Sequence, residues 1–296
     1  MNNDWLVELI RKEQFYVRHR SPRYDEILEA IRRVDRRDFL PEEVVISAEV
    51  DSDLLESLHE ASTKVVEDLH EYHRNSASDT KTVEVDEKGK NFLAMLDYVN
   101  KLCNSAVLKI FEPRNSAYEN VPLSIGHGQT CSEPSMVAFM AYLLELKEGL
   151  RVFELGFGCG YSAAVTCHLI GAGQLVAAER IPKLALFGQS NLEAHLDKSN
   201  LKTNVYFICE NGIDALENNA PNAPFDRTFD RIYLTAGVDL KSFDPSKLAR
   251  HLNADDGILL FPEREGDLIK QRYKGGNLAS EERYGNGKVR FVPLIL

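Results

Sequence analysis

Beyond residue 150 the chain alternates short apolar runs with stretches of helical spacing. The runs fall at 151–155, 174–178, 205–209, 231–235 and 257–262, and the helical stretches at 161–170, 183–196 and 246–252. A strand covered by helices on both faces reads as a continuous apolar run, and not as an alternating one. The pattern therefore predicts a doubly wound, Rossmann-like α/β sheet. Two more runs, 268–273 and 289–296, close the chain, with Gly-Asn-Gly at 285–287 between them. They predict a C-terminal antiparallel hairpin.

The first 46 residues read differently. Leu6, Leu9 and Ile10 make one helical stripe, and Ile27, Ala30, Ile31 and Val34 a second. Ser21-Pro22 supplies the turn between them, and Pro41 follows the second. From 47 to 115 the chain holds 14 acidic against 8 basic residues. Leu54, Leu58, Val65, Leu69 and Tyr72 are spaced as a helix, residues 75–90 are polar, and Phe92, Met95, Leu96 and Val99 make another helical stripe. These features predict an N-terminal helical part (1–46), an acidic, mostly helical insertion (47–116) and the α/β domain (117–296).

Composition narrows the function. A net charge of −11 argues against a nucleic-acid partner and gives an acidic substrate no long-range steering, so recognition of one would have to be local. No apolar run is long enough for a membrane span, and the first residues do not form a secretory signal. The five cysteines are scattered without a CxxC spacing, which fits reduced thiols in the cytoplasm and no zinc. His59, His70 and His73 stand among glutamates in the insertion, where a solvated helix face is the better reading than a metal site.

The chemistry concentrates at Glu154-Leu155-Gly156-Phe157-Gly158-Cys159-Gly160-Tyr161. A strand that runs through a glycine turn into a helix lets backbone approach a ligand at the strand's carboxyl end. Dinucleotide enzymes share such turns, but two details favour S-adenosylmethionine. Glu154, two residues before the first glycine, can face the ligand's ammonium. The third glycine follows after one residue rather than two, which suits a pyrophosphate less well. Glu179, at the end of the next strand, either accepts the ribose hydroxyls or caps the segment after it. Glu210-Asn211-Gly212 would lie over the adenine, with the choice between Glu210 and Asn211 open.

Ahead of the glycine turn lies Pro122-Leu123-Ser124-Ile125-Gly126-His127-Gly128-Gln129-Thr130-Cys131-Ser132-Glu133-Pro134. This segment resembles the P-L-x-I-G-[YH]-G-Q-T-I-S-x-P pattern of the protein-L-isoaspartate (D-aspartate) O-methyltransferases. Arg36-Arg37-Asp38-Phe39-Leu40-Pro41-Glu42-Glu43, Glu179-Arg180-Ile181-Pro182, Asp230-Arg231-Ile232-Tyr233-Leu234-Thr235-Ala236 and Val289-Arg290-Phe291-Val292-Pro293-Leu294 are similar to further family segments. The resemblance spans about 5–45 and 117–296. It implies a class I methyltransferase fold, for which a terminal antiparallel hairpin is typical, and S-adenosylmethionine as cofactor.

It also implies the partner: damaged proteins or peptides containing isoaspartate. By the resemblance Ser132 is the active-site serine, and Gln129 and Thr130 belong to its substrate loop. Ser132 can equally be read as a helix N-cap, with Pro134 in the first turn. His127 takes a structural role. The sequence departs from the family at Gly237-Val238-Asp239, at Glu263-Arg264-Glu265, at Asn211 and at Ser135. Two alternatives therefore stand beside repair of isoaspartate: a carboxylate methyltransferase for aspartate or another acceptor, and a non-catalytic S-adenosylmethionine-binding module.

Overall fold

The computed structural model describes residues 2–46, 109–218 and 228–294. Its contacts divide the chain into one unit made of Met1–Glu42 with Glu112–Leu296, and a second, Glu43–Phe111. In the second unit the described residues form an antiparallel pair, β1 (Val44–Ile46) and β2 (Lys109–Phe111). The helical stripes expected within 47–108, and with them His59, His70 and His73, lie outside the described residues.

The main unit is built on a seven-stranded sheet in the order β11-β10-β9-β8-β5-β6-β7. Its parallel strands are β5 (Arg151–Leu155), β6 (Gln174–Ala178), β7 (Asn204–Ile208), β8 (Arg231–Leu234) and β9 (Gly257–Pro262). β8 and β9 are buried at every position, β9 as an unbroken apolar run and β8 with Arg231 buried ahead of Ile232, Tyr233 and Leu234. Edge strand β7 alternates between exposed and half-buried positions. β10 (Glu265–Lys274) adds antiparallel to β9 and β11 (Asn277–Arg290) antiparallel to β10, so the expected hairpin is present.

Its turn is elsewhere. Lys274 pairs with Asn277 across Gly275-Gly276, at φ 58° and 74°. A two-residue hairpin loop of this hand needs positive φ at both positions, which glycine supplies at no steric cost. The 285–287 segment is instead an interruption inside β11. Leu268 pairs with Tyr284 and Gly266 with Val289, leaving extra residues on the β11 side.

The N-terminal part holds three α-helices where two were expected: α1 (Asn3–Ile10), α2 (Gln14–His19) and α3 (Pro22–Arg33). The apolar stripe of α1 stops at Ile10, and the amides of Lys12 and Glu13 tighten onto the carbonyls of Leu9 and Ile10 at 3.0 Å each. Ser21 caps α3, accepting from the Tyr24 amide at 3.3 Å, and Pro22 takes the first helical position. Among the described residues the remaining α-helices are α4 (Pro134–Leu143), α5 (Tyr161–Ile170), α6 (Pro182–Ser199), α7 (Gly212–Glu217) and α8 (Ser246–Ala249).

Candidate active site

The segments that follow β5, β6, β7 and β8 all leave the carboxyl edge of the sheet, where ligands sit in open α/β folds. They line a cleft together with the hairpin of β3 (Leu123–Gly126) and β4 (Gln129–Cys131). Glu154, Gly156, Gly158, Glu179, Asn211 and Gly212 from the sequence reading line it, as do Gln129, Thr130 and Ser132. Gly160 lies beside it at the start of α5, at φ 89°.

Glu154 is fully buried, and neither carboxylate oxygen has a hydrogen-bond partner within the structure. Burial pushes its pKa up to about 7, the nearby Tyr233 and Ser162 hydroxyls pull the other way, and the charge of Glu179 adds to the rise. A buried, orphaned carboxylate facing a cleft is the chemistry an ammonium group satisfies. The residues therefore fit an amino-acid-bearing cofactor.

Glu179 is already engaged. One oxygen accepts from the Gly158 amide at 3.2 Å and the other from the Ile181 amide at 2.9 Å. Glu179 ties down the segment entering α6 and holds the glycine turn, while its carboxylate lines the cleft. Asn211 turns its side-chain oxygen to the Ile213 amide at 3.0 Å and caps α7, leaving its amide nitrogen and the exposed Glu210 beside the cleft.

Close packing explains the glycines. A Cβ on Gly160 would sit 2.8 Å from the Gly188 carbonyl oxygen of α6, and one on Gly156 would sit 2.7 Å from the Thr235 hydroxyl. Gly188 is the converse: a Cβ there would collide with the Gly158 carbonyl and the Phe157 ring. Thr235 hydrogen-bonds the Leu155 carbonyl at 3.1 Å and also the Gly156 carbonyl, joining the end of β8 to the turn. The sequence reading gave no role to Gly188 or Thr235.

Arg36 was also without a role. Its guanidinium is fully buried and donates to the carbonyls of Val121 (2.8 Å), Glu119 (3.0 Å), Ser132 (3.0 Å), Cys131 (3.3 Å) and Ala117 (3.5 Å). It also lies 5.7 Å from the centre of the Tyr161 ring, at the start of α5. One side chain thereby anchors the segment carrying Ser132 to the helix of the glycine turn.

Ser132 is not the helix cap. Glu133 holds that position, and no side chain caps α4. Ser132 sits one residue earlier, half-buried, lining the cleft and also a second, larger groove. Thr130, Thr235 and Val292 line both as well. Gln129 donates to the His127 carbonyl at 3.3 Å across a turn in which Gly126, His127 and Gly128 all have positive φ. His127 is an exposed turn residue, in keeping with a structural role.

Two departures from the family pattern lie side by side. The Val238 amide bonds the Pro262 carbonyl at 2.9 Å, and the Arg264 amide bonds the Val238 carbonyl at 2.9 Å. This brings Arg264 so close that a Cβ on Gly237 would lie 2.5 Å from its Cα. Position 237 thus has no room for a side chain beside the backbone of residue 264, and Thr235 and Ala236 line the cleft.

A family model described as protein-L-isoaspartate(D-aspartate) O-methyltransferase matches residues 90–296. A protein-L-isoaspartate O-methyltransferase of Methanococcus aeolicus is 38% identical over 207 residues, covering 66% of this chain and 87% of the relative. One from Archaeoglobus fulgidus is 39% identical over 183 residues, covering 61% and 76%. Among solved structures, a Plasmodium falciparum chain described as a protein-L-isoaspartate O-methyltransferase, in complex with S-adenosyl-L-homocysteine, matches with a TM-score of 0.60. It covers 100% of this chain and 99% of its own at 18% identity, a likeness of fold.

Proposed function

The chain belongs to the protein-L-isoaspartate(D-aspartate) O-methyltransferase family, and from that premise we propose the reaction it performs and the residues that perform it. It transfers a methyl group from S-adenosylmethionine to the free carboxylate of L-isoaspartyl and D-aspartyl residues in damaged proteins or peptides. The ester then closes to a succinimide, which reopens in part to ordinary aspartate. Its place is the cytoplasm. The described cysteines Cys131, Cys159, Cys167 and Cys209 are free thiols, which suits a reducing compartment, and among the described residues no helix is long and apolar enough to cross a membrane.

The observation that carries this reading is the junction at Ser132, which lines both the cofactor cleft and the larger groove. S-adenosylmethionine, when bound, supplies a methyl group made electrophilic by its sulfonium. Glu154 would pair with the ammonium, Glu179 would accept from the ribose hydroxyls, and Glu210 to Gly212 would border the adenine. The acceptor needs no general base, because a carboxylate with a pKa of roughly 4 is ionised at neutral pH. Ser132 would donate a hydrogen bond to one acceptor oxygen, orienting the other toward the methyl group. Gln129 and Thr130 hold the rim beside it. The chain thus contributes alignment and exclusion of water, the usual source of rate for such a displacement.

Ser132→Ala tests the assignment. Loss of a donor to a charged group costs about 2–3 kcal/mol, so kcat should fall about a hundredfold. Affinity for S-adenosylhomocysteine, measured by calorimetry, should stay within twofold. Equal loss of both would remove Ser132 from the acceptor site. Labelled methyl transfer to an isoaspartyl peptide beside its aspartyl twin settles the acceptor: transfer to aspartate favours the diverged enzyme, and binding without transfer favours the non-catalytic module.

A further inference from the structure

The groove that adjoins the cleft reverses the charge of the molecule. The whole chain carries −11, yet the groove is lined by Arg18, Arg283 and Arg290, with Glu133 as its one carboxylate among the described residues. Arg18 projects from α2 and Arg290 from the end of β11, and both are exposed. Arg283 is held by Glu263 and Glu281 at 3.1 Å each. Within the described residues Arg18 and Arg290 have no such partner. Glu133 is half-withdrawn from water, which raises its pKa, while the Ser135 hydroxyl donates to it at 2.8 Å.

An aromatic strip lines the same groove. Phe15 of α2 stacks on Phe139 of α4 at 4.2 Å, and Tyr284 of β11 meets the same ring edge-on at 5.6 Å. The groove has a volume of about 710 Å³, is open to solvent, and is continuous with the proposed methyl-transfer site through Thr130, Ser132, Thr235 and Val292. Only a chain segment that carries the acceptor at Ser132 and extends to either side would fill such a groove.

We propose that this groove selects isoaspartyl segments flanked by acidic side chains, with Arg18 and Arg290 reading carboxylates two or three residues from the acceptor. The inference rests on the isoaspartyl methyltransferase reading and deepens it. Long-range electrostatics would repel an acidic segment from a chain of this net charge, so the preference is created locally, within about a Debye length of the groove. Each contact is an exposed ion pair and individually weak. The preference between oppositely charged peptides combines attraction for one with repulsion of the other at two positions, and so reaches about tenfold.

The test compares three isoaspartyl peptides of one length, with glutamate, glutamine or lysine at the flanking positions. In low salt kcat/KM should be about tenfold higher for the glutamate peptide than for the lysine peptide, with glutamine between. The ratio should fall to within about twofold at 0.5 M salt, where the screening length is a few ångströms. The Arg18→Glu/Arg290→Glu double variant should invert the order, and because the readout is a ratio within one preparation, partial loss of folded protein does not affect it. A low-salt ratio within twofold, or an order unchanged in the double variant, overturns the proposal while leaving the methyltransferase reading intact. Absence of transfer to all three peptides overturns that reading itself and the preference with it.

Discussion

Replacing Glu154 by glutamine removes a buried carboxylate whose pKa is pushed up to about 7 from an ordinary 4.5. The sign follows from linkage: the folded state holds this proton more tightly than the unfolded chain does. The penalty for keeping a charge here is absent below pH 4.5, grows between 4.5 and about 7, and is complete above that. A difference of that size corresponds to about 3 kcal/mol, at 1.36 kcal/mol per pH unit. Without ligand, Glu154→Gln should therefore be the more stable protein at pH 8, by up to about 3 kcal/mol in urea unfolding, and the two should converge at pH 4.5. Binding reverses the ranking. A cofactor ammonium needs the ionised form, so binding at pH 6 must expel about 0.9 proton, and at pH 7 about 0.5. Calorimetry in buffers of different ionisation enthalpy measures this directly, and the wild type should bind about tenfold more weakly at pH 6 than with the carboxylate fully ionised. The variant should release no such proton and lose most of its cofactor affinity. Equal proton release by both proteins, or a ligand-free variant no more stable at pH 8, would refute the role of Glu154 as the ammonium partner.

Arg36→Met leaves five carbonyl acceptors without their shared donor, three of them now bonded at 3.0 Å or less. The expected loss is about 3–5 kcal/mol in urea unfolding, with Arg36→Lys intermediate because an ammonium reaches fewer of them; a loss below about 1 kcal/mol would show that the segment carrying Ser132 is held by other means. Gly188→Ala forces α6 away from the glycine turn, since its methyl group would overlap the Gly158 carbonyl. Cofactor affinity should drop at least tenfold, and an unchanged Kd by calorimetry would mean that the turn can shift freely.

Elements that answer to local rules were readable in advance. β5, β6, β9 and α5 match the expected boundaries, because each is an apolar run or stripe bounded by turn residues. The break between α1 and α2 was not readable: Arg11-Lys12-Glu13 contains neither glycine nor proline, and only the end of the apolar stripe marks it. The hairpin turn was misplaced because two glycine-rich segments compete. Gly275-Gly276 wins because it lets Lys274 and Asn277 pair directly, whereas 285–287 falls where β11 must bulge past Gly266 and Leu268. Ser132 was offered two roles on a one-residue margin, and the start of α4 at Pro134 gave the cap position to Glu133.

The donor and acceptor halves of the site differ in legibility for a physical reason. Glu154, the glycine turn and Glu179 lie on consecutive β-α-β connections, so their spacing is fixed by strand and helix lengths and survives as a motif. The proposed acceptor side is assembled from α2, the segment before α4, the end of β8 and the end of β11, which meet only in space. No spacing records that Arg18 and Arg290 share a groove, or that Gly237 makes room for Arg264. At the departures from the family pattern the backbones of Gly237 and Arg264 pack closely, and Thr235 and Ala236 line the cleft beside them. Specificity in this chain is therefore to be sought in the charges around the groove, at the exposed Arg18 and Arg290, which lie outside the cofactor cleft.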